Sequence, residues 1–132
     1  MSSIIEKKSV IVQEYLPSYK SGETCLIFFG KKYSHTIRKF GPHEFTFVTP
    51  SEEEMRFAEF ILSVVPHNLL YARVDLIRGK EGNLLLGELE LFEPRLYLTK
   101  ETATTLANAI IFELKKEHQR ESTDKLCSCS LC

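Results

Sequence analysis

The spacing of hydrophobic positions changes period along the chain, and each change predicts an element. Residues 10–16, VIVQEYL, read as a strand that stops at Pro17. After the polar YKSGE stretch, TCLIFFG and KKYSHTIRKF predict a hairpin that turns at Gly30 and Lys31. A short strand is expected over residues 44–48. The pattern then becomes helical: Met55, Ala58, Ile61, Leu62 and Val65 recur at helix spacing. Thr49 is the expected N-cap, with Pro50 in the first helical position, Glu52 closing a capping box and an end near Pro66. Residues 69–78 and 84–92 predict two more strands, joined by the turn GKEGN. Thr99 is expected to cap a last helix reaching about residue 118, with Ala103, Leu106, Ala107, Ile110, Ile111 and Leu114 as its buried stripe.

Strand, hairpin, helix, hairpin, helix predicts an α+β fold: an antiparallel sheet with helices packed on one face. Residues 1–120 are expected to form one domain. Residues 121–132, which include CSCSLC, lack periodicity and read as a disordered tail. The formal net charge of −1 gives no electrostatic reason to expect nucleic acid. No apolar run is long enough for a membrane span, no signal-peptide core is visible, and three of the four cysteines crowd the end, so a cytoplasmic protein is expected.

The unusual chemistry lies in the second hairpin. In GELELFEP, Glu88 and Glu90 interrupt an apolar run, and LLYARVDLIRG adds Arg73 and Asp75 to the preceding one. A buried, unpaired carboxylate costs several kcal/mol, so cations are expected beside these acids. Strand alternation places Leu84, Leu86, Glu88 and Glu90 on one face. A loop over 79–82 would set Arg78 opposite Asn83 and Arg73 opposite Glu88, with Asp75 diagonal. Two readings stay open on spacing alone. Arg73 pairs with Glu88 in a structural ion pair, or the acids gather around a hard divalent cation, which prefers oxygen ligands.

The stretch YARVDLIRGKEGNLLLGELELFEP resembles the C-terminal metal-binding hairpin of the ATP-grasp superfamily, the glutathione-synthetase-like carboxylate–amine ligases in particular. Arg73-Val74-Asp75 and Glu88-Leu89-Glu90 stand where that family carries Arg-x-Asp and Glu-x-Asn or Glu-x-Glu. VIVQEYLP is similar to the strand that runs along adenine. The resemblance extends over about residues 9–114, the C-terminal part of such a unit. It implies that Asp75, Glu88 and Glu90 hold Mg²⁺ against ATP phosphates and that Arg73 offsets charge on an acylphosphate or tetrahedral intermediate. Glu14, Tyr15 and Leu16 would lie along adenine, Glu23 would hold the ribose hydroxyls, and Lys39 would sit near the nucleotide. The implied reaction is ATP-dependent joining of a small-molecule carboxylate to an amine or similar nucleophile, with a second chain or longer precursor supplying the N-terminal half. The alternative is a non-catalytic remnant acting as an interaction module. The stretch GPHEFTFVTP is shorter than in related sequences and lacks their arginine.

The remaining chemistry-bearing residues read more plainly. CxCxxC in a polar tail lacks the folded four-ligand frame that zinc prefers, and the last four residues fit a prenylation box only loosely. His35, His43, His67 and His118 show no ligand spacing, and Cys25 reads as a small core residue.

Overall fold

The structure, a computed structural model, describes residues 10–41 and 43–128, with side chains as far as residue 119. Its elements are a 3₁₀ turn (Pro17–Ser21), β1 (Glu23–Phe29), β2 (Lys32–Lys39), β3 (Phe45–Val48), α1 (Glu52–Ser63), β4 (Tyr71–Arg78), β5 (Leu84–Glu90) and α2 (Lys100–Ser128). The five strands form one sheet in the order β3-β2-β1-β4-β5, every pairing antiparallel. The α+β class read from the pattern is the class observed.

The layering differs from the expected single helical face. Leu26 and Phe28 of β1, with Ala72, Val74 and Leu76 of β4, pack against Ala58, Ile61 and Leu62 of α1. The alternate residues Cys25, Ile27 and Phe29 meet Leu96, Tyr97 and Leu106. Successive strand residues point to opposite faces, so α1 and the start of α2 cover opposite sides. This explains why β1 and β4 are nearly continuous apolar runs: both faces are covered. Each large side chain buried there contributes about 1.5–3 kcal/mol.

Residues 10–16 form no strand. Ile11 is 94% and Val12 87% exposed, so their apolar alternation buries nothing. The segment is tethered beside the β4–β5 turn instead, with Lys80 paired to Glu14 and the Ser18 hydroxyl donating to the Arg78 carbonyl. Ser51, not Thr49, caps α1. The Glu54 amide donates to Ser51 Oγ at 3.2 Å and the Ser51 amide donates to Glu54 Oε2 at 2.8 Å. The box forms there because Glu54 also reaches inward, accepting from the Thr24 hydroxyl at 2.8 Å with Arg38 3.9 Å away. Burial opposes ionisation of Glu54, but the Ser51 and Thr24 hydrogen bonds and Arg38 outweigh it and hold the carboxyl below its usual range.

In α2, Thr102, Ala103, Leu106 and Ala109 are half-buried, whereas Ala107, Ile110, Ile111 and Leu114 of the expected stripe are exposed. Leu96 and Tyr97 already occupy much of that sheet face, leaving the helix only a narrow contact. The helix backbone continues to Ser128, past the expected end near residue 118. The CSCSLC side chains lie outside the described residues.

Candidate functional site

Strand pairing gathers the charged residues. Asp75 lies opposite both Cys25 of β1 and Glu88 of β5, Arg73 lies opposite Glu90, and Glu23 lies opposite Lys39. Cross-strand partners share a face, so Glu23, Lys39, Arg73, Asp75, Glu88 and Glu90 all project from the side that α2 partly covers.

The register departs from the expected one in two steps. Arg78 pairs with Leu84, so the loop is one residue longer, and a bulge between the Leu76–Leu86 and Asp75–Glu88 pairs leaves Gly87 without a partner. The extra residue reverses the alternation. Leu84 and Leu86 therefore face α1, while Glu88 and Glu90 face the other way, not the same way as sequence alternation alone predicts. Gly87 suits the position: a Cβ there would meet the Asp75 carbonyl at 3.3 Å.

Arg73 sits at the centre. Its Nε donates to Asp75 Oδ1 at 2.7 Å and its Nη2 to Asp75 Oδ2 at 2.8 Å, a bidentate pair with both side chains nearly inaccessible. Nη2 also reaches Glu88 Oε2 at 3.4 Å, and Nη1 lies 2.8 Å from Glu90 Oε2. Lys39 Nζ bridges Glu23 at 2.8 Å and Asp75 at 3.3 Å. Burial alone would lower the pKa of Arg73 and of Lys39. Asp75 outweighs that for Arg73, and Glu23 with Asp75 outweighs it for Lys39, so both cations are held firmly protonated. Cys25 lies beside Asp75 across the β1–β4 pairing, and burial followed by the Asp75 charge pushes its thiol far up, leaving it an inert core residue.

Two glutamates are less well served. Glu90 Oε2 is buried with no hydrogen-bond partner, because Arg73 approaches outside bonding geometry. Burial raises the Glu90 pKa, Arg73 pulls it back, and repulsion from Glu88 and Asp75 leaves it raised. Four carboxylates face two cations, a formal excess of two negative charges. Among the described residues, no three of His, Cys, Asp and Glu are arranged to hold one metal ion. Arg73 fills the space between the three acids, and Asp75 is committed to Arg73 and Lys39. Of the three acids, Glu88 and Glu90 are the ones outside the bidentate pair, and so the residues that could hold a hard divalent cation.

Along the same face lies an open shelf lined by Glu14, Tyr15, Leu16, Tyr19, Ile77 and Leu85, more apolar than polar and bordered by Glu23. Tyr15 and Leu16 are thus beside Glu23, while the Glu14 carboxylate turns to Lys80 at the surface. Ile77 and Leu85 are not among the expected site residues, although strand alternation already puts Ile77 on the face of Arg73 and Asp75. On the other side, Phe45, Phe47, Arg95, Tyr97 and Leu98 line a second recess, also unforeseen. His35 holds its wall, donating from Nε2 to the Leu96 carbonyl at 2.9 Å in the tautomer that accepts from the Ser34 hydroxyl at Nδ1.

No protein-family model matches the chain. Among curated proteins it is 34% identical over 127 residues to the cycloserine biosynthesis protein DcsG of Streptomyces lavendulae, over 80% of this chain and 42% of that protein. Among solved structures, the crystal structure of D-cycloserine synthetase DcsG superposes with a TM-score of 0.67 at 28% identity, covering 77% of this chain and 41% of the other. The chain thus spans about 42% of the length of the curated relative it matches, and it shares that synthetase's fold over most of its own length. Among the described residues, no helix is long and apolar enough to cross a membrane.

Proposed function

We propose that this chain is the C-terminal, ATP- and Mg²⁺-binding portion of an ATP-grasp ligase that joins a carboxylate to a nucleophile through an acylphosphate. The observation that carries the reading is the order of groups on one sheet face. An apolar shelf borders Glu23, Glu23 pairs with Lys39, and Lys39 adjoins the Arg73–Asp75–Glu88–Glu90 cluster. A nucleotide presents base, ribose and phosphates in the same order. Tyr15, Leu16, Ile77 and Leu85 would stack against the base, and Glu23 would accept from the ribose hydroxyls. Lys39 and Arg73 would offset phosphoryl charge in a site already partly desolvated. Glu88 and Glu90 would hold the divalent cation, which supplies further charge neutralisation at the phosphates. Likeness to a synthetase supports ligase chemistry. The rest of the site would come from a longer protein or a second chain.

Thermal melting of the 132-residue chain with and without millimolar Mg-ATP tests this. Ligand at 100 times its Kd stabilises by about 2.7 kcal/mol. Glu88→Gln should remove the Mg²⁺-dependent part of the shift while leaving the unliganded melt nearly unchanged, since Glu88 is half-exposed and its link to Arg73 is long. One observation favours a second reading, a non-catalytic interaction module: Asp75 is already neutralised from within by Arg73 and Lys39. On that reading, neither Mg²⁺ nor ATP shifts the melt.

A further inference from the structure

The recess beside β3 contains an arginine with an unusual set of neighbours. The Arg95 guanidinium carbon lies 4.8 Å from the Tyr97 ring centroid and 5.7 Å from that of Phe45. The two rings are themselves in contact, their centroids 4.7 Å apart. Among the described residues, no carboxylate lies within ion-pairing distance of Arg95, and its side chain is exposed. Stacking on aromatic faces fixes the guanidinium plane while its edge N–H groups stay free to donate. A planar fork of donors held in this way matches a carboxylate, which accepts two parallel hydrogen bonds. Phe45, Phe47 and Leu98 give the recess, about 550 Å³, an apolar lining for the rest of a small molecule.

Its placement connects it to the charged cluster. Phe45 pairs with Lys39 across β2–β3, and Phe47 with Ile37, so both rings share the face of the cluster. The Arg95 carbonyl accepts from Arg73 Nη1 at 3.4 Å, so one strand of backbone borders both sites. Tyr97 holds φ at 49°, a left-handed conformation that is strained for an aromatic residue. The His35–Leu96 hydrogen bond and the packing of Leu96 and Tyr97 on the sheet hold the segment there.

We propose that Arg95, stacked on Phe45 and Tyr97, anchors the carboxylate of a small organic acid in this recess, so that the rest of the molecule reaches toward Arg73. As the substrate end of a catalytic site the recess rests on the ligase reading above; as a carboxylate site it stands on its own geometry. A carboxylate held by an arginine fork has one lone pair of each oxygen engaged and its position fixed, which makes it an anchor for the rest of the molecule. On the ligase reading, the ligand class is therefore a small organic acid that carries, beyond the anchored carboxylate, a second group within reach of the cluster.

Benzoate and benzamide, equal in shape and different in charge, are the probes. Amide ¹H–¹⁵N spectra of the full chain should show saturable shifts at Arg95, Leu96 and Tyr97 and along β3 with benzoate, and none with benzamide. Arg95→Met, which keeps the apolar stem, should weaken benzoate about tenfold or more, with Arg95→Lys intermediate. The dispersion of the remaining amide signals monitors the fold. Equal response to both probes, no response to benzoate, or an undiminished response in Arg95→Met would overturn the proposal. Mg-ATP melting of the same variants separates the two readings. Benzoate binding without Mg-ATP stabilisation leaves the recess standing and removes the ligase reading. Mg-ATP stabilisation without benzoate binding does the reverse.

Discussion

Arg73 is one guanidinium that serves three acids, and its burial fixes what its loss would do. Arg73 is 4% exposed and Asp75 1% exposed. Truncating one partner of a pair so buried leaves a charge facing protein, at a cost of about 3–5 kcal/mol. Arg73→Met should therefore lose that much stability in urea denaturation, with Lys39 as the remaining cation beside Asp75. Millimolar Mg²⁺ should recover part of the loss in the variant and do little to the parent without nucleotide, because only the variant leaves the space between the acids open. An Arg73→Met chain as stable as the parent would show that the bidentate pair contributes nothing. The importance of these residues could be read from the chain alone, because a carboxylate inside an apolar run demands a partner. Which partner it finds could not, since Lys39 is 36 residues away and only the β1–β2 and β1–β4 pairings bring it to Asp75.

At the scale of elements, sequence pattern succeeded where side chains repeat and failed where one residue breaks the repeat. The β1–β2 hairpin and the β4–β5 pair follow from turn glycines and apolar runs. The register of β5 does not, because a loop of five residues and the bulge at Gly87 each shift it by one. A glycine inside a strand is the sequence signal for such a bulge, and here it lies in the middle of LLLGELE. The bulge is the extra residue, so deleting Gly87 restores regular alternation without moving Glu88 and Glu90 off the face of Arg73. The deletion variant is expected to melt cooperatively within a few degrees of the parent and to keep its Mg²⁺-dependent response. A chain that fails to fold would mean that the local bend at Gly87, not register alone, closes the cluster. Capping shows the same limit: Thr49 and Ser51 both begin plausible boxes, and the choice falls to Ser51 because only Glu54 can also reach Thr24 across the core.

Across the whole molecule the two sheet faces divide the work. The α1 face holds the main apolar core and the satisfied Glu54 box, while the opposite face carries the shelf, the charges and the recess. No sequence period predicts this division, because the loop over residues 94–98, not α2, covers much of the second face and turns Ile110, Ile111 and Leu114 outward. The clasp that holds this loop makes stability depend on pH. Burial lowers the His35 pKa against the opposing Leu96 and Tyr97 backbone hydrogen bonds, so the folded chain keeps the ring neutral. As the pH falls below about 6.5, the unfolded chain takes up this proton first. His35 therefore contributes stability above that pH and loses it as the pH drops toward its folded-state value. Glu54, also lowered, contributes in the same sense at more acid pH, its share present above the usual carboxylate pKa and lost below it. Glu90, raised, acts oppositely: its contribution is present in acid and lost as the pH rises through its folded-state value. Between pH 7.5 and 5.5 His35 destabilises on acidification, so the urea midpoint should fall over that interval in the parent and fall less in His35→Gln, whose amide can keep the Leu96 hydrogen bond without titrating. Equal slopes in the two proteins would place the acid sensitivity elsewhere than in the clasp.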